Sequence, residues 1–263
     1  MWKPLLMAAA LGFSGAVSAD NLNLQFGDDN DSCNIDIPRH IRLGPAFIDV
    51  REQSGAAESL FHYEVPGTLL VDGKTVALDE AQQTLMARYY GQMHEASRNL
   101  SLVSLLAVDV ALHGVSIALT TLAGTDHPNA EELRLTMAEV ERRAYQRFSE
   151  QDGVYTLGTD GVGAFIEETI DEDLEPRLEQ IAKDSAGSIV WNALKAVLTG
   201  GRSIERQAEQ AAEAAEGAVK EKAEALEAMA DSLCRQLEAI DQTESEVHAA
   251  IPQLARYDLI NPN

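Results

Sequence analysis

Between Cys33 and Leu78 the apolar residues alternate with polar ones in short runs, CNIDI, HIRLG, AFIDVRE, LFHYEV, TLLVDG and KTVAL, broken by Pro38, Pro45, Gly55, Pro66 and Gly67. Period-two alternation rich in β-branched and aromatic residues predicts short antiparallel strands. In LLVDGKTVAL, Asp72-Gly73 supplies the positive backbone torsions of a tight two-residue turn, so this segment is expected to be a hairpin. The spacing then turns helical. Asp79 is placed as an N-cap with Gln82 reaching back to it, and Leu85, Tyr89 and Met93 form one stripe of a helix over 80–98. Residues 100–123 are almost continuously apolar and predict a core helix. Residues 129–150 carry Leu133, Met137, Val140, Ala144 and Phe148 on one helical side, and a glycine-punctuated link follows over 153–163, with VYTL as a short strand. Helical signals return over 164–182, interrupted at Pro176, and over 186–198.

From Ser203 to about Ile251 the chain is rich in Ala and Glu, and Leu226, Leu233, Ile240 and Val247 recur every seven residues beside Met229, Leu237 and Ile251. That spacing predicts one long helix with a narrow apolar seam. The alanine-rich stretch before Leu226 is expected to pack closely or to project. The acidic run DNLNLQFGDDNDS at 20–32 is expected to be a mobile leader. The expected fold class is therefore α+β: a β-rich segment over 20–78 with a small antiparallel hairpin sheet, a larger helical body over 79–251 ending in a long C-terminal helix, and a C-terminal tail over 252–263.

The first nineteen residues change the picture of where the chain resides. Lys3 precedes an apolar run from Leu5 to Val17, and Val17 and Ala19 are the small residues of a cleavage site. This is the layout of a secretory signal peptide over 1–19, and periplasmic residence is expected. The 263 residues carry 20 Lys+Arg against 43 Asp+Glu, a net charge of −23. A general nucleic-acid binder is excluded on that balance, since phosphate contacts need clustered cations. Cys33 and Cys234 are the two cysteines. In an oxidising compartment an even count points to a Cys33–Cys234 disulfide, the alternative being two cysteines too distant to bond.

Candidate chemistry is sparse. Asp109 and His113 lie four apart in the apolar 100–123 stretch, where a carboxylate could orient an imidazole for general-base work or metal ligation; a satisfied polar pair inside a helical core explains them equally. The same pair argues against the rival reading of 100–123 as an inner-membrane span, because a charge in lipid is costly. Glu167, Asp171 and Glu175 could share a helix face and gather a hard cation, although a solvated acidic face is the simpler account. His94-Glu95 begins like a zinc-protease motif, but Arg98 stands where its second histidine belongs. Asp28–Asp31 resembles a calcium loop, yet Cys33 occupies its glycine position. No GxSxG elbow or phosphate-binding glycine pattern occurs.

The signal peptide, a Cys opening the mature β-rich segment, the hairpin-to-helix segment LLVDGKTVALDEAQQTLMARYYGQM and the second Cys in SLCRQLEAI together resemble the YggN-like family of exported Gram-negative bacterial proteins, a domain of unknown function. The resemblance implies periplasmic residence and assigns no activity, cofactor or catalytic residue. With no catalytic signature and a seam on the last helix, the expected role is a non-enzymatic interaction or structural protein of the cell envelope. It would act on an envelope partner, or on itself through the 203–251 helix. An enzyme or metal protein using Asp109 and His113 is the second reading, and a membrane protein spanning at 100–123 the third.

Overall fold

The computed structural model describes residues 22–26, 33–123, 130–158, 165, 169, 176–177 and 202–262. The alternating runs form strands where the spacing predicts them: β2 (Cys33–Ile37), β3 (His40–Gly44), β4 (Phe47–Arg51), β5 (Phe61–Glu64), β6 (Thr68–Val71) and β7 (Lys74–Val76). A further strand, β8 (Tyr155–Leu157), comes from the VYTL segment. β3 to β8 make one antiparallel sheet in the order β7-β6-β5-β4-β3-β8. Its register places Leu157, Ile41, Val50, Phe61 and Val71 in one row, and Tyr155, Leu43, Ile48, Tyr63 and Leu69 in the next. All ten are buried, so the two rows are the floor of the core. Asp72 and Gly73 adopt φ of 48° and 71°, the torsions the hairpin turn requires.

Four sequence expectations are corrected. The leader is not wholly mobile: Leu22–Phe26 form β1, antiparallel to β2 with Leu22 opposite Ile37 and Phe26 opposite Cys33. Alternation in LNLQF was hidden among acidic neighbours. The helices expected over 80–98 and 100–123 are one helix, α1 (Glu80–Ala123, 44 residues), because no Gly or Pro breaks the join at Asn99–Leu100 and only the polarity changes there. Of the two readings of Asp109 and His113, the pair enclosed in a core does not form, since Asp109 is exposed and His113 part-buried. The C-terminal tail expected over 252–263 folds back onto the body over its described residues, because Leu254, Tyr257, Leu259 and Ile260 are buried and β9 (Asn261–Pro262) pairs with β2 to complete a sheet β1-β2-β9.

The capping box forms as expected: the Gln82 amide donates to Asp79 Oδ1 at 2.8 Å, and Gln82 Oε1 accepts from the Asp79 amide at 2.9 Å. Helix α2 (Ala130–Phe148) buries Leu133, Val140 and Ala144 against Val108 and Leu112 of α1, with Phe165 beside them. Helix α3 (Arg202–Ala250) is the predicted long helix. Its contacts with α1 run in opposite order along the two helices. Gln82 Nε2 donates to the Ala250 carbonyl at 2.7 Å, Asn99 Nδ2 to Gln236 Oε1 at 2.8 Å, and Lys222 Nζ to Asp109 Oδ2 at 2.6 Å. The pair is therefore antiparallel, and the seam Leu226, Leu233, Leu237, Ile240 and Val247 is buried within the molecule. The expected helices over 164–182 and 186–198, like the signal peptide, lie outside the continuous described segments.

Candidate functional site

The heptad of α3 has a second column, Ala230, Leu237, Glu244 and Ile251, and one of its four members is charged. A seam position points at the partner helix, so this spacing buries a carboxyl. Glu244 is 2% exposed. Its Oε1 accepts from Tyr89 Oη of α1 at 2.8 Å and from the Leu259 amide at 3.1 Å, and its Oε2 accepts from the Ile260 amide at 3.1 Å. Three elements thus meet on one side chain. Burying polar groups is tolerable only with such partners.

Two more acids stand beside it. One oxygen each of Asp241, Glu244 and Asp258 lies within 4.8 Å of the others. Burial pushes the Glu244 pKa up, and the Asp258 charge adds to it. Hydrogen bonds from Tyr89 and the Ile260 and Leu259 amides pull back only part of the way, leaving it raised from 4.5 to about 8. Asp241 is also raised, by burial and by Asp258, against an opposing effect of His248. Burial and the nearby Glu244 carry the Tyr89 hydroxyl well above its usual range. The trio does not suit a cation, since the Glu244 oxygens already face the positive ends of three donors. What it holds well is a proton, because Glu244 is buried and ionises only at a cost beside part-buried Asp241 and exposed Asp258.

The residues singled out in the sequence fall elsewhere. The Asp109 side chain is 53% exposed and forms an ion pair with Lys222, one rung of the α1–α3 ladder, so it does not serve His113, which is part-buried a turn further on. His94 packs between the rings of Tyr90 and Tyr155, with centroids 5.8 and 5.5 Å away. Glu167, Asp171 and Glu175 lie outside the described residues. Another constellation was not legible as such: Asp49, buried on β4, accepts from Arg51 Nε at 2.7 Å and from the Ser59 hydroxyl, and its Oδ1 is 3.5 Å from His62 Nδ1. Burial raises the Asp49 pKa, but the Ser59 and Arg51 hydrogen bonds and the Arg51 charge outweigh it, and the net shift is downward. Although Ser, His and Asp are all present, Ser59 and His62 both approach the same carboxylate oxygen. A nucleophilic relay needs the imidazole between the other two.

Residues 33–260 match the family described as protein of unknown function, DUF2884. The chain belongs to that family. No curated protein and no solved structure matches it. The matched span opens at Cys33, the first residue of β2, and closes at Ile260, whose amide bonds Glu244, so the DUF2884 unit includes both sheets' connections to the helices.

Proposed function

We propose that this DUF2884 member is an exported, non-enzymatic protein of the cell envelope that acts by binding another macromolecule, and that a Cys33–Cys234 disulfide ties β2 to α3. The observation that carries the binding role is apolar surface on α1 and α2. The most apolar 18-residue stretch of α1 is only 33% buried. Leu102 remains 48% exposed, and Leu135 and Tyr145 of α2 each 64%. Exposed apolar surface on a soluble domain marks contact sites. The polar clusters, by contrast, are committed to the fold: Asp109 to Lys222, Asp49 to Arg51 and Ser59, Glu244 to the C-terminal segment. Export is supported by the leader pattern of residues 1–19, and the disulfide by the bonded state of Cys234 in a chain with one other cysteine.

The test is capture from envelope extract together with a light-scattering concentration series. A specific partner, or a dimer, that is lost on combining Leu135→Glu with Tyr145→Glu supports the proposal. A strict monomer that captures nothing, or capture unchanged by the pair of substitutions, overturns it. A bilayer span at 100–123 also has an observation in its favour, since α1 is long and apolar enough to cross. It would have to carry the Asp109–Lys222 ion pair into lipid, and carbonate extraction separates the two readings.

A further inference from the structure

Segment 251–262 is held at three kinds of contact. Leu254, Tyr257, Leu259 and Ile260 are buried in the core, Asn261 and Pro262 pair with Asp36 and Ile35 of β2, and the Leu259 and Ile260 amides end on the Glu244 carboxyl. The groups that face Glu244 are almost all acidic or neutral. Tyr89 approaches from α1, Asp258 from the segment itself, and Asp241 from its own helix, where His248 acts on Asp241. On the neighbouring strand β2 the charged residue is Asp36, in register with Asn261. The nearby arginines are engaged elsewhere, Arg88 with Glu246 and Arg256 with Asp72.

We propose that this arrangement is a proton-operated clasp: segment 252–262 stays docked on α3 and β2 while the Asp241–Glu244–Asp258 group holds a proton, and is let go when Glu244 ionises. With the proton in place, one of the contacts around Glu244 becomes an O–H donor, and the Tyr89 hydroxyl at 2.8 Å can accept where it otherwise donates. Without it, a buried charged carboxylate faces two further carboxylates, part-buried Asp241 and exposed Asp258, at the rim of the core. Peeling away Leu259 and Ile260 is the move that lets water reach it, while the α1–α3 seam stays closed. The release uncovers the apolar side chains of Tyr257, Leu259 and Ile260 and frees the edge of β2, a surface able to add a strand from another chain. The proposal does not depend on the binding role inferred above.

The sign follows from linkage. A group whose folded pKa is raised from 4.5 to about 8 favours the docked form fully below 4.5, and that contribution is lost as pH rises to about 8. Between about pH 6.5 and about pH 9 the docking equilibrium should therefore fall roughly thirtyfold. Hydrogen–deuterium exchange of the full chain, corrected for intrinsic rates, reads this as protection in peptides covering 252–262. The expected result is that fall in those peptides and not in peptides from β5 and β6. Glu244→Gln should keep at about pH 9 the protection seen in the native chain at about pH 6.5. Asp258→Asn, a change at an exposed residue that leaves folding intact, should shrink the fall by removing one repelling charge. A fall below about threefold, an equal fall in the β5–β6 peptides, or an unchanged fall in either variant overturns the clasp.

Discussion

Leu233 and Asp109 both lie on the α1–α3 pair, yet they contribute on different scales. Leu233 is 1% exposed in the seam, and Leu233→Ala should cost about 2–5 kcal/mol in urea denaturation, the removed atoms leaving a cavity the antiparallel helices cannot close. Asp109 pairs with Lys222 in water, the two side chains 53% and 37% exposed, and Asp109→Asn should cost less than about 1 kcal/mol. A buried catalytic or structural pair would invert that ranking. Residue identity alone did not separate these cases. Asp109 looked enclosed because its sequence neighbours are apolar, whereas exposure is decided by which side of α1 meets α3. Glu244 shows the converse: the signal was a charged residue in a heptad column, legible from spacing once both columns of the seam are followed.

Among the elements, local chemistry was legible wherever a turn or cap has a fixed requirement. Asp72-Gly73 and the Asp79–Gln82 box form as the residues dictate, because each is satisfied within a few positions of chain. β8 depends on a neighbour far away. It lies against β3, and Gly158 just after it has φ +109°, with Arg39 O only 1.9 Å from where a Cβ would stand. Gly158→Ala should therefore push β8 off the sheet, cost about 1–3 kcal/mol, and raise the exchange of the Tyr155–Leu157 amides before those of β4. β1, the unbroken α1 and the folded segment 251–262 escaped sequence analysis for one reason. Each is stabilised by pairing with another element, β2 for the two strands and α3 for the helix, and their own hydrophobic periods are short or change midway.

At the level of the whole molecule, two clusters of buried side chains are threaded on a single helix. The larger takes in the sheets, the lower turns of α1, the seam of α3 and the C-terminal segment; the smaller joins Val108 and Leu112 of α1 to α2. Leu133→Ala, which touches only the smaller cluster, should lower the unfolding midpoint reported by the sheet as well as that reported by α2. Circular dichroism at a helical wavelength and tyrosine fluorescence should trace one transition; two separated transitions would show the clusters to be independent.

At 1.5 Å per residue the 44-residue α1 is a girder about 66 Å long, rooted in a β floor at one end and carrying α2 at the other. A load taken up by the far limb, from a bound molecule or a tug along the helix, meets no Gly or Pro from Gln92 to His113 in which to dissipate, so it arrives as torque on the seat of Met86, Tyr89 and Met93.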